Sequence, residues 1–157
     1  MKGSMNIFIS HIHEDDDGLG KLKSLARDNG LIVRDGSINK AKPNSAKNAD
    51  YILHKIIGPR IRWCSVMVVY ITPNTRHSEW VDKEIMRAAR LGKRIVGVWA
   101  HGHAGCEPPE NLTMLADAMV GWHGGRVVDA LTGDFNGREG ADGSVCAPIP
   151  FKRVRCG

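Results

Sequence analysis

The sequence lacks an apolar run long enough to cross a bilayer, lacks a Cys-x-x-Cys pair, and lacks an apolar leader at its start. A membrane-spanning helix needs about 20 predominantly apolar residues. The most apolar stretch here, Val66-Met67-Val68-Val69-Tyr70-Ile71, falls far short of that. The N-terminus runs at once into a short strand and an acidic cluster, so no signal peptide is read and a cytoplasmic location is expected. Met1 to Ser4 read as a cloning remnant ahead of Met5. Cys64, Cys106, Cys146 and Cys156 have spacings that argue against a zinc knuckle or a thioredoxin-type pair. Reduced thiols are their simplest account, with an approach of Cys146 to Cys156 left open.

Positive charge is in excess, with 22 Lys and Arg against 17 Asp and Glu. Lys40, Lys42, Lys47, Arg60, Arg62, Arg87, Arg90, Lys93 and Arg94 supply it. They are dispersed over several elements without interleaved aromatics, which favours a solvated surface over a nucleic-acid interface. Attraction for a phosphate-bearing small molecule stays open. A chain of 157 residues suits one domain that buries roughly two-thirds of the surface its unfolded form exposes.

Hydrophobic periodicity sets the elements. Asn6 to Ser10 reads as a buried strand, and Asp17 to Asn29 as a helix with Leu19, Leu22, Leu25 and Ala26 inward. Leu31 to Val33 is a short second strand. A polar loop, Arg34 to Ser45, leads to a helical stretch from Ala49 to about Trp63 that Gly58-Pro59 must interrupt or bend. Val66 to Ile71 is the third strand and Arg94 to Trp99 the fourth. A short helix near Leu112 to Met119 and a weak strand at Arg126 to Val128 follow. Strands alternating with helices at this spacing predict a three-layer α/β fold, with a parallel sheet of about five strands in the order 2-1-3-4-5. The boundaries expected are 5–131 for the domain and 132–157 for a Gly-rich extension.

Between the third and fourth strands lies the segment with the most chemistry, Ser78-Glu79-Trp80-Val81-Asp82-Lys83-Glu84. At 100° per residue, Val81, Ile85, Ala88 and Ala89 share one helix face, while Trp80 and Glu84 stack one turn apart on its border. Ser78 is the expected N-cap and Gly92 the stop. A helix that follows a strand begins at the carboxyl edge of the sheet, where open α/β folds bind ligands at the switch point between strands 1 and 3. Ser10-His11, Arg34-Asp35 and Thr72 to Glu84 are expected to meet there.

Two metal readings compete. His11-x-His13 with Asp15 and Asp16 resembles the zinc motif of metallo-β-lactamases, although a His is usual where Asp16 stands. His101, His103 and Cys106 form a second set that nothing elsewhere completes. Asp134 to Arg138 faintly resembles a calcium loop but places Arg138 where an oxygen ligand is needed, and no Glu closes it. No metal site is assigned.

Taken together, Phe8-Ile9-Ser10-His11 backed by acidic residues, Val66 to Pro73, Ser78-x-Trp80-x-x-x-Glu84 and Arg94 to Trp99 resemble the Toll/interleukin-1 receptor (TIR) domain family over about residues 5 to 130. The bacterial group that includes the TIR protein of the Thoeris antiphage system is the nearer likeness. The resemblance implies a flavodoxin-like, TIR-type fold and a site that cleaves the nicotinamide–ribose bond of NAD, with Glu84 as catalytic residue. NAD would be the substrate and no cofactor is implied. Phe8, Ser10, His11, Arg34, Asp35 and Trp80 would contact the nucleotide. The resemblance further implies a product of the cyclic ADP-ribose type that signals to an effector protein in antiphage defence, and TIR–TIR self-association. Three alternatives remain: a non-enzymatic TIR interaction module, a nucleoside 2-deoxyribosyltransferase-like enzyme, and a zinc metallohydrolase.

Overall fold

A computed structural model describes residues 3–37, 53–140 and 143–146. The chain runs β1 (Gly3–Ser10), α1 (Gly18–Asp28), β2 (Leu31–Asp35), α2 (Gly58–Trp63), β3 (Val66–Ile71), α3 (Glu79–Arg90), β4 (Arg94–Trp99), α4 (Glu110–Leu115), β5 (Ala118–Val120), α5 (Gly124–Thr132), β6 (Arg138–Glu139) and β7 (Val145–Cys146). The described strands form one sheet in the order β2-β1-β3-β4-β5-β6-β7. The first six are parallel, and β7 joins β6 antiparallel. The order 2-1-3-4-5 is thus as expected. The sheet is larger, because two short strands come from the Gly-rich segment after residue 132.

Strand alternation builds two apolar layers. Val66, Val68 and Tyr70 point to the side of α1 and α5, where Leu19, Leu22, Val127 and Leu131 cover them. Met67, Val69 and Ile71 point the other way, onto Ile61 of α2, Val81 and Ile85 of α3 and Leu112 of α4. All six residues of β3 are buried, as a central parallel strand covered on both faces requires.

Local signals account for most boundaries. Ser78 caps α3 by accepting the Val81 N–H at 3.2 Å, and Gly92, at φ +69°, ends it in the left-handed conformation that glycine tolerates best. Pro59 has no N–H to give to the carbonyl four residues back. The turn before it, Leu53–Ile57, is wound as a π-helix that runs into α2. Gly3 and Ser4 lie within β1, paired with Leu31 and Ile32 of β2.

Three expectations are corrected. The helix expected over Leu112 to Met119 is shorter, and Ala118–Val120 is strand β5 beside Val96 to Val98 of β4. Asp117 starts that pairing, giving its N–H to the Ile95 carbonyl at 2.7 Å and accepting the Ile95 N–H on its carboxylate at 2.9 Å. Arg126 to Val128 is not a strand but part of α5. Val127, Val128, Ala130 and Leu131 are buried at helical spacing, and His123 caps the helix by accepting the Arg126 N–H. Arg34 and Asp35 belong to β2 rather than to a loop after it, because their backbone pairs with Asn6 and Ile7. Lys40, Lys42, Lys47, the rest of the expected loop to Ser45, the expected helix start at Ala49 and Cys156 lie outside the described residues.

Cys64 closes α2 with its thiol donating to the Ile61 carbonyl at 3.0 Å. It is 2% exposed, and burial pushes its pKa from 9.0 up to about 11, with the Lys93 charge opposing part of the rise. A raised thiol pKa in the folded state means that the folded chain holds this proton more tightly. The resulting stability is present below about pH 9 and is lost as pH climbs through 11. Two units correspond to at most about 2–3 kcal/mol. Denaturant melts of wild type and Cys64→Ala are therefore expected to differ most at pH 8 and to converge, or cross, by pH 11.

Candidate functional site

The carboxyl ends of β1 and β3 meet at the point where the strand order reverses, and Ser10 is the last residue of β1 there. Its Oγ donates to Glu84 Oε1 at 2.8 Å, joining the strand end to α3 across 74 residues of sequence. Both residues are 0% exposed. A buried carboxylate is tolerated only when hydrogen bonds replace water, so Ser10 is a structural requirement of Glu84 as well as its neighbour. The local cause is helix phase. With Val81, Ile85 and Ala88 seated on the sheet, Glu84 is carried to the border that faces the β1 end.

His11 is 3% exposed, and both ring nitrogens are engaged. Nδ1 lies 2.9 Å from the Ile9 carbonyl oxygen, and Nε2 lies 2.5 Å from Asp16 Oδ1. The other oxygen of Asp16 faces His13 Nδ1 at 2.7 Å. Thr72, just past β3, donates from Oγ1 to Asp15 Oδ2 at 2.6 Å, and its N–H goes to Thr75 Oγ1 at 2.9 Å. The structure thus pairs Ser10 with Glu84, His11 with Asp16 and Thr72 with Asp15 along the ends of β1 and β3.

Trp80 stands one turn before Glu84, half-buried against the α2–α3–α4 side of the core, with Lys83 Nζ 5.6 Å from its ring centroid. Phe8 is 1% exposed within that same layer, below the strand end. Arg34 and Asp35 are not brought to Glu84. Ile7 stands opposite both Asp35 and Val66, which sets Asp35 level with the first residue of β3 and three residues short of Ser10, roughly 10 Å along the strand. Arg34 Nε instead donates to Asn6 Oδ1 at 2.7 Å, and Asp35 faces Lys23 Nζ at 3.5 Å.

The histidine and acidic clusters are tied within themselves. Among the described residues no group of three His, Cys, Asp or Glu side chains is arranged to hold a metal ion. The imidazoles of His11 and His13 converge on one Asp16 carboxylate, and His101 and His103 are exposed on their loop. Several basic side chains are bound to backbone: Arg60 to the Gly36 carbonyl, Lys93 to that of Arg62, and Arg94 to those of Ala130 and Phe135. No helix among the described residues is long and apolar enough to cross a membrane.

Sequence reasoning missed the opposite side of the same edge. A cleft of about 660 Å³ runs along α1, lined by Asp17, Lys21, His101 and Trp122 among others. Trp122 meets Tyr70 edge-on with ring centroids 6.2 Å apart. Burial and the nearby Asp15 charge raise the Tyr70 hydroxyl pKa. Glu139 is 8% exposed, accepting the Gly121 N–H at 2.9 Å and facing Arg126 Nε at 3.5 Å. A Gly-rich tail without periodicity carried no signal for that carboxylate.

The family model described as "Thoeris protein ThsB, TIR-like domain" matches residues 8–104. No curated protein matches. Among solved structures, the Clostridium botulinum CMP N-glycosidase BcmB aligns with a TM-score of 0.40 and 18% identity over 60% of this chain and 71% of that one. The TIR domains of the activated Roq1 resistosome, which recognises the pathogen effector XopQ, align with a TM-score of 0.40 and 17% identity over 60% and 57%.

Removing the Ser10 hydroxyl takes a donor from a buried carboxylate, which costs about 1–3 kcal/mol. Ser10→Ala is expected to lower unfolding stability by that amount in denaturant melts. A neutral result would show that Oε1 is satisfied in another way.

Proposed function

We propose a function from one premise: the chain belongs to the TIR-like domain family of the Thoeris protein ThsB. In this reading it is an enzyme that cleaves the bond between nicotinamide and ribose in NAD, with Glu84 as the catalytic carboxylate. The observation that supports it most is the buried Ser10–Glu84 hydrogen bond at the switch point of the sheet. Heterolysis of that bond releases neutral nicotinamide and leaves positive charge on the ribose, as in other glycosidic cleavages with an oxocarbenium-like transition state. A carboxylate held in a low-dielectric site stabilises such charge or grips the ribose hydroxyls. Attack by water then yields ADP-ribose and a proton, whereas attack by the adenine end of the same molecule yields a cyclic ADP-ribose-type product.

In the same reading Trp80 walls the ribose side of the pocket, NAD is substrate rather than cofactor, and the cyclic product carries a signal to an effector protein in cytoplasmic antiphage defence. Copies of the domain self-associate. Because Glu84 has no exposed surface, NAD reaches it only after the groups around it move, so activity depends on a triggered or assembled state. That burial also favours a second reading, a non-enzymatic TIR interaction module in which Glu84 is structural.

One experiment separates the two. Nicotinamide release from NAD is followed with the purified chain, alongside mass spectrometry of nucleotides from cells expressing it during phage challenge. The enzyme reading expects Glu84→Gln, which conserves shape, to lose about 100-fold or more of the activity. Undiminished activity in Glu84→Gln would sink the catalytic assignment. A wild type that releases no nicotinamide in either setting, with protection from phage intact in Glu84→Gln, would establish the module.

A further inference from the structure

The acidic run behind β1 does no chemistry in the proposed reaction, yet its members are aimed individually. Asp15 turns to the end of β3, where its Oδ2 accepts from Thr72 Oγ1 at 2.6 Å. Asp16 turns back to β1, with Oδ1 2.5 Å from His11 Nε2 and a side chain only 21% exposed. Asp17 is exposed and makes no side-chain capping bond to α1. His11 passes the restraint on. Carbonyl and carboxylate oxygens only accept, so Nδ1 donates to the Ile9 carbonyl at 2.9 Å and Nε2 donates to Asp16 Oδ1 at 2.5 Å, the arrangement of a protonated ring paired with a carboxylate.

Ser10 therefore sits between two clamped neighbours. The carbonyl of Ile9 before it is held by the ring of His11 after it, and that ring is held by Asp16. The second strap works from the opposite strand. Thr72 opens the turn that leads through Thr75 to Ser78 and α3, and Thr75 Oγ1 binds both the Thr72 N–H and the Tyr70 carbonyl. Asp15 thus ties the segment that carries Ser10 to the segment that delivers Glu84. The 2.8 Å hydrogen bond between a strand end and a helix depends on both elements keeping their places, because such bonds weaken steeply once the angle at the hydrogen falls below about 120°.

We infer that Asp16, acting through His11, and Asp15, acting through Thr72, are positioning residues that hold Ser10 Oγ on Glu84. This rests on the reading that Glu84 is catalytic. The metal reading of the same residues has no support among the described side chains, because each ring nitrogen that would be a ligand already faces an oxygen atom, except His13 Nε2.

The test is a double-mutant cycle between Asp16 and Ser10 in the full chain, read in two ways. For nicotinamide release, Asp16→Ala is expected to lower kcat by about tenfold with KM changed less than about twofold. In a Ser10→Ala background it should lower kcat by less than about twofold further, because the bond it positions is already gone. Asp15→Asn keeps an oxygen that accepts from Thr72, and Asp16→Asn keeps an amide of the same shape that hydrogen-bonds to His11 Nε2, so both should recover most of the loss. Asp17→Asn removes the same charge without a bond and should match wild type. The second readout is thermal unfolding: Ser10→Ala should lower Tm in wild type but by less than half as much in Asp16→Ala.

Additive effects in both readouts would overturn the inference, as would a fall in kcat with Asp17→Asn equal to that with Asp16→Ala. If wild type releases no nicotinamide, either purified or in phage-challenged cells, while the Tm cycle still shows coupling, the proposed activity fails and the positioning of Ser10 on Glu84 stands.

Discussion

A carboxylate sealed from water has to be given by the protein what water gave it, and that demand at Glu84 organises the carboxyl edge of this sheet. The donor from Ser10 comes from a strand 74 residues earlier, so the bond exists only if β1 and β3 are neighbours and α3 lies over both. Parallel pairing of Ser10 with Val69 fixes the first condition. The seating of Val81, Ile85 and Ala88 fixes the second. The turns after both strands are then tied to one another through Asp15 and Thr72, so the two sides of the site are held by side chains as well as by the sheet.

Alternation along the strands divides this edge into two faces. Ser10 follows Phe8 on the side of α2, α3 and α4. Ile7 and Ile9 lie on the side of α1. The carboxylate proposed for catalysis belongs to the first face, and the cleft beside Trp122 and Tyr70 opens on the second. Gly18 marks how tightly the second face is built, since a Cβ there would sit 2.6 Å from Tyr70 Cζ. A ring and a helix start can approach this closely only where a side chain is missing.

Long, periodic elements were legible in the sequence because their burial pattern is written in consecutive residues. The six apolar residues of β3 and the helical spacing in α3 needed no tertiary information, nor did Ser78 as a cap. Short elements were not. Leu112, Leu115 and Met119 keep helical spacing across a real break, and the three-residue β5 is too brief to show a period of two. Val127 and Val128 carry strand-favouring side chains, but the buried set Val127, Val128, Ala130 and Leu131 is a helix face. Its cap is His123, outside the residue types that usually announce one.

The candidate site divides in the same way. Sequence alone singled out Glu84, Trp80, Ser10 and His11, because a strand leading into an amphipathic helix predicts which residues gather at a carboxyl edge. The alternation of elements also led to the expected order 2-1-3-4-5, which the first four strands follow as read, while the fifth strand is Ala118–Val120 in place of Arg126 to Val128. Only the tertiary structure decided that Arg34 and Asp35 stop level with the start of β3, since the length of a pairing ladder depends on its partner. Only the tertiary structure showed that Asp15 and Asp16, adjacent in the chain, serve opposite strands, and that Glu139 from the tail is buried against Gly121 and Arg126. Periodicity reports which face of an element is buried. It carries no information about what a single polar side chain will meet, because that partner comes from a distant part of the chain.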